Sequence, residues 1–115
     1  DGKALTINGD GGQTRDYVFV DDVVAANALA LQQRLVGGFN VGTGIETDVN
    51  ELARALLAAA PNKVDVLHAA PRAGEQRRSV IDPARLRAAG WSPTVDVATG
   101  LARTFRWFDS QRATR

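Results

Sequence analysis

Arg15 stands just after a glycine-rich turn, Gly9-Asp10-Gly11-Gly12, with Gln13, Thr14 and Asp16 as polar neighbours. A guanidinium there can grip phosphate oxygens with two parallel hydrogen bonds, or it can form a surface ion pair with Asp16 or another acid. A second cluster lies in Arg72-Ala73-Gly74-Glu75-Gln76-Arg77-Arg78-Ser79. Its arginines can neutralise phosphates while Glu75 accepts hydrogen bonds from sugar hydroxyls, a division of labour suited to a nucleotide sugar or another phosphorylated polyol. A solvated charged loop accounts for the same residues. A diphosphate asks for several donors, so the two arginine sites say more together than apart, although spacing leaves their convergence open.

Other candidates carry less chemistry. Gly9-x-Gly11-Gly12 and Gly42-x-Gly44 match neither G-x-G-x-x-G nor G-x-x-x-x-G-K-[ST], and read better as turns than as phosphate loops. His68 has no partner fixed by spacing and reads as a structural histidine. Trp91 and Trp107 read as core or partial-core residues, and Asp21-Asp22 as the start of a helix. The 115 residues contain no cysteine, which excludes disulfides, thiol nucleophiles and cysteine-ligated zinc, and one histidine excludes a histidine-rich metal site. Fourteen basic against 13 acidic side chains leave a net charge of +1, without the excess that a general nucleic-acid binder carries. No apolar run is long enough for a membrane span. The lack of cysteine is compatible with a reducing compartment, and a cytoplasmic setting is expected.

These residues need positioning. Leu5-Thr6-Ile7 and Tyr17-Val18-Phe19-Val20 are β-prone and flank the glycine turn, which predicts a hairpin. Asp21-Asp22 opens a helix with a stripe of Val24, Ala28 and Leu31 that fades before Gly37-Gly38. Phe39-Asn40-Val41 is a candidate strand. Asp48 and Glu51 form a D-x-x-E cap for a helix whose face is Leu52, Leu56 and Leu57, and Pro61 stops it. Residues 63–68 suit a strand and residues 72–79 a loop. Asp82-Pro83 starts a short helix ending at Gly90, and a last helix from Asp96 places Val97, Leu101, Phe105 and Phe108 on one side. The order is β, β, α, β, α, β, α, α, an α/β arrangement in one domain over residues 1–115. So few strands make a thin sheet, which implies partner structure beside it.

Gly9-Asp10-Gly11-Gly12-Gln13-Thr14-Arg15-Asp16-Tyr17-Val18-Phe19-Val20-Asp21-Asp22-Val23 resembles the segment that opens the substrate-binding half of the NAD-dependent epimerase/dehydratases, the extended short-chain dehydrogenase/reductases. The resemblance continues through Phe39-Asn40-Val41-Gly42-Thr43-Gly44, Asp48-Val49-Asn50-Glu51-Leu52, Arg72-Ala73-Gly74-Glu75, Asp82 and Gly90-Trp91. It covers essentially the whole chain and is broadest toward nucleotide-sugar epimerases of the UDP-glucose 4-epimerase group.

The resemblance implies that Arg15 and Arg72 contact the diphosphate of a nucleotide sugar and Glu75 its ribose. Many members have Pro at the position of Ala73 and Asp at that of Glu75; the longer Glu keeps the acceptor. The family's catalytic Tyr-x-x-x-Lys is not matched, because Asp21 stands four residues after Tyr17, the only tyrosine. The chain is therefore expected to be the carboxy-terminal substrate-binding portion of an extended Rossmann-like enzyme, inactive alone. NAD would be bound mainly by an amino-terminal Rossmann portion, and the complete enzyme is a candidate homodimer. Two other readings stand beside the epimerase: a non-catalytic nucleotide-sugar binding module, and part of a dTDP-sugar dehydratase.

Overall fold

The computed structural model of the protein describes residues 2–114; Asp1, the first residue of the Asp1-Gly2-Lys3 opening, and Arg115 lie outside them. Eight elements follow the expected order: β1 (Leu5–Asn8), β2 (Thr14–Arg15), α1 (Val20–Gln32), β3 (Thr47–Asp48), α2 (Val49–Ala59), β4 (Val66–Ala69), α3 (Ala84–Ala88) and α4 (Val97–Arg112). No helix among the described residues is long and apolar enough to cross a membrane.

Their pairing corrects the predicted hairpin. β1 pairs in parallel with β4, placing Ile7 beside His68, whereas β2 pairs antiparallel with β3. Tyr17-Val18-Phe19 is extended but belongs to no strand, because Phe19 turns directly into α1 as its N-cap. Residues 39–41 form no ladder either, and the third strand sits at 47–48 instead. The structure thus holds two sheets of two strands each. Helix α2 contacts β1 and packs lengthwise on α4. The Asp48 carboxylate caps α2 through the Glu51 N–H at 2.7 Å, as the D-x-x-E spacing implies. Asp96 caps α4 in the same way through Thr99.

The apolar stripe expected to bury α1 faces the other way. Val24 and Leu31 are exposed, as is Val20 on the same side, while Asp22 and Ala26 are buried with Leu29 packed beside them. The core beneath is small: Ala26, Leu86 and Trp91, flanked by Val18, Leu29, Leu35, Phe39 and Val41. A helix apolar on both sides suits burial on both sides, and only one is covered here. Trp107, expected in or near the core, is 57% exposed and stacks edge-on against Phe108 with centroids 4.8 Å apart. Both aromatics lie on the later turns of α4.

Asp22 explains why a carboxylate occupies the buried face. Its side chain accepts from Thr94 N at 3.1 Å, Thr94 Oγ1 at 2.8 Å and Val95 N at 3.0 Å, and its carbonyl accepts from Trp91 Nε1 at 2.9 Å. Burial opposes its charge, yet these donors hold its pKa below the ordinary carboxylate value. Losing the carboxylate would remove the partner of three donors at the edge of the core, and Asp22→Ala is expected to cost about 1–2 kcal/mol. A urea titration checks this: the midpoint falls well below that of the exposed control Asp109→Ala, and equal midpoints would contradict it.

Candidate functional site

Arg15 ends β2, and the loop of residues 72–78 folds across that strand. Thr14 N donates to the Arg77 carbonyl at 2.9 Å, which fixes the crossing. Arg15 Nη1 donates to the carbonyls of Thr14 at 2.6 Å and Gln76 at 2.8 Å, and Nη2 lies 3.7 Å from Glu75 Oε1. The two sites left open by spacing therefore meet. Arg15 pairs across the loop with Glu75, not with Asp16 beside it. Two neutral carbonyls orient its guanidinium, and Glu75 offsets part of its charge.

Arg72 and Glu75 share a tight turn in which Glu75 N donates to the Arg72 carbonyl at 3.4 Å. Both line a cleft of about 290 Å³ together with Asn8, Gly9, Asp10, Gln13 and Arg77; Arg15 approaches Glu75 but is not among the lining residues. Arg72 has no acid partner among the described residues, so it is the uncommitted cation at this cleft. Arg77 and Arg78 are each committed to an acid, Arg77 within the cleft wall itself. Arg77 forks onto both Asp10 oxygens at 2.7 and 3.0 Å, and this hydrogen-bonded pairing lowers the Asp10 pKa to about 2. Arg78 forks onto Glu46, which also accepts from Thr14 Oγ1 at 3.0 Å. These pairs anchor the loop at both sides of the strand and remove two arginines from the phosphate candidates. His68 Nδ1 lies 2.8 Å from the Gly9 carbonyl, in keeping with a structural role.

Two residues carry more of this geometry than their types suggest. Gln13 is 7% exposed, and its Nε2 donates to the Asn8 carbonyl at 3.1 Å and Glu75 Oε1 at 3.4 Å. Asp16 turns to the opposite side from Arg15 and gathers Thr43 N at 2.9 Å, Thr43 Oγ1 at 2.6 Å, Gly44 N at 2.9 Å and Ile81 N at 3.3 Å. Burial works against its ionisation, but the hydrogen bonds from Thr43, Gly44 and Ile81 win and lower its pKa. The signal for both is the run of polar residues flanking a strand; the partners of Asp16, 27 to 65 residues away, carry no local pattern.

A larger cleft of about 570 Å³ opens elsewhere, with Tyr17, Ile45, Glu51, Ala55, Val95 and Asp96 in its walls. Among the described residues no basic side chain lines it, so its two carboxylates stand uncompensated, whereas Asp10 and Glu75 of the smaller cleft are accompanied by Arg72 and Arg77. Size is outweighed by charge, and the smaller cleft is the better anion site.

The family model for GDP-mannose 4,6 dehydratase matches residues 1–104. The chain belongs to the NAD-dependent epimerase/dehydratase family. A UDP-glucose 4-epimerase of Mycolicibacterium smegmatis is 44% identical over 111 residues, 93% of this chain and 35% of that protein. The UDP-glucose 4-epimerase of Thermotoga maritima, solved with UDP-glucose, superposes with a TM-score of 0.86 at 37% identity, over 96% of this chain and 36% of that one. The UDP-glucose 4-epimerase of Thermus thermophilus, solved with NAD, gives 0.79 at 41% identity, over 86% of this chain and 33% of its own. The chain thus spans about a third of the length of these relatives, and its α/β fold is that of their substrate-binding part.

Two of the turn glycines serve internal packing. A Cβ at Gly11 would run into the Asn50 side chain, and one at Gly42 would lie 2.8 Å from Ile81 Cβ and 2.9 Å from Asp16 Oδ2. At these two positions the space that glycine leaves is filled by the protein's own atoms. Burial raises the Tyr17 phenol pKa, and with Asp21 in place of a lysine four residues on, no hydride chemistry is assigned to it.

The lowered pKa of Asp16 gives a signed expectation. Its stabilising effect is complete above the ordinary carboxylate value of 3.8 and is lost as pH falls through that value toward the lower folded one. Unfolding followed between about pH 5 and about pH 2 should show a loss that Asp16→Asn makes shallower. A wild-type midpoint that rises on acidification would contradict the assignment.

Proposed function

We propose that this chain is the nucleotide-sugar-binding part of an NAD-dependent epimerase of the UDP-glucose 4-epimerase kind. The observation that carries the proposal is that Glu75 links the two arginines at the crossing of β2 and the 72–78 loop: it shares a turn and a cleft with Arg72 and lies 3.7 Å from Arg15. Arg15 and Arg72 bind the diphosphate oxygens, and Glu75 accepts from the ribose hydroxyls. Anchored in this way, the sugar is held in one orientation toward groups outside the described residues. NAD, when bound, carries the hydride that is taken from a sugar carbon and returned to it.

The covalent chemistry and most of the NAD contacts fall to an amino-terminal Rossmann portion. The exposed apolar side of α1, with Val20, Val24 and Leu31, supports a covering structure of that kind. The match to the GDP-mannose 4,6 dehydratase family model favours one second reading, a sugar dehydratase with the same anchoring residues. An epimerase interconverts UDP-glucose and UDP-galactose, whereas a dehydratase releases water and leaves a 4-keto-6-deoxy sugar.

Calorimetric titration of the complete enzyme tests the anchor. Arg15→Ala and Arg72→Ala are each expected to weaken UDP-glucose binding by about tenfold to a hundredfold, as for a lost charge-assisted hydrogen bond, with NAD affinity little changed. Unchanged affinity for the sugar nucleotide after either substitution would reject the role. The 115-residue chain alone, supplied with NAD and UDP-glucose, is expected to form no UDP-galactose. Robust turnover by the purified chain would overturn the division of labour.

A further inference from the structure

Gln13 is buried, uncharged and outside the set of phosphate donors, yet it touches the proposed nucleotide site at its most selective point. Both partners of Nε2 are acceptors, the Asn8 carbonyl and Glu75 Oε1, so the carboxamide orientation is set and both amide hydrogens are used. The Gln13 carbonyl accepts from Val49 N at 3.2 Å, which ties the residue to the start of α2. Gln13 therefore cannot swing with the loop that carries Glu75.

The second approach to Glu75 falls on the same oxygen. Arg15 Nη2 lies 3.7 Å from Oε1, whereas Oε2 has no donor among the described residues. One oxygen of the carboxylate is thus held from the protein side, and the other is left for hydroxyl donors in the cleft. The Glu75 side chain is about a third exposed and sits on a polar loop, so without this hold its rotamers would spread and each hydroxyl contact would carry an ordering cost.

We propose that Gln13 is a positioning residue that presents Glu75 Oε2 to the vicinal hydroxyls of a ribose and thereby sets the preference for ribonucleotide over 2′-deoxyribonucleotide ligands. The proposal rests on the reading of Glu75 as the ribose acceptor. It adds that the preference resides in the Gln13–Glu75 pair and not in Glu75 alone.

The test is the affinity of the complete enzyme for UDP and for 2′-deoxy-UDP, measured by calorimetry on wild type, Gln13→Leu, Gln13→Met and Glu75→Ala. Gln13→Leu removes the donor. Gln13→Met keeps the length and the neutral charge without the donor, and it serves where the leucine variant fails to fold. Either is expected to weaken UDP about tenfold, to leave 2′-deoxy-UDP within about twofold, and so to collapse the wild-type preference. A general packing defect would weaken both ligands alike, and that outcome overturns the proposal. If Glu75→Ala abolishes the preference while both Gln13 variants keep it, the role of Gln13 falls and the ribose reading stands. If the preference survives Glu75→Ala, or wild type binds neither nucleotide, both fall together.

Discussion

The Asp16 carboxylate is the constraint on which the rest of the site depends. It follows Arg15 directly in the chain and gathers donors from Thr43, Gly44 and Ile81, segments that share no ladder with β2. A two-residue strand has little hold of its own, since each ladder bond offsets only part of the entropy of fixing its residues. The carboxylate converts the end of that strand into a fixed point. Because successive side chains point to opposite sides of extended backbone, anchoring Asp16 on one side presents Arg15 on the other. Gly42 belongs to the same device, since any side chain there would collide with Asp16 and Ile81.

Charge is distributed around this fixed point so that some cations are spent and one is kept. Arg77 and Arg78 form two-pronged pairs with Asp10 and Glu46, which clamp the loop on either side of β2. Such exposed pairs add little stability each, but together they set where the loop crosses. Arg15 is braced by carbonyls, and Arg72 is left without an acid among the described residues. In the proposed complex a diphosphate entering the 290 Å³ cleft meets Arg72 uncompensated, and Arg15, oriented beside Glu75 at 3.7 Å, is the second cation it would have to reach.

Local chemistry makes the element order and the caps of α2 and α4 legible in the sequence, whereas α1 is entered from Phe19 with no side-chain cap and the N-cap of α3 is Pro83 and not Asp82. Asp48 and Asp96 cap the helices their spacing implies, and the 72–79 stretch is the loop its polarity suggests. The strand partners are not legible, because the glycine turn between two β-prone runs has the local signature of a hairpin. The parallel pairing of Leu5–Asn8 with Val66–Ala69 depends on α2 crossing between them, and neither run records that relation. The inside of α1 is misread for a related reason. Hydrophobicity marks Val24 and Leu31 as the buried stripe, but the side facing this chain's core is chosen by Asp22, whose donors begin 72 residues away. Arg15, Arg72 and Glu75 are legible as residues of the right chemistry. Gln13, which contacts Glu75, and Asp16, which anchors the end of β2, stand out in the sequence only as polar residues in an odd place.

The central claim is that a nucleotide sugar binds at the crossing of β2 and the 72–78 loop. A crystal structure of the complete enzyme with UDP-glucose tests it most directly. The account predicts diphosphate oxygens within hydrogen-bonding distance of both Arg15 and Arg72, with a ribose hydroxyl donating to Glu75. A nucleotide seated instead in the cleft walled by Tyr17, Glu51 and Val95, away from both arginines, would contradict it.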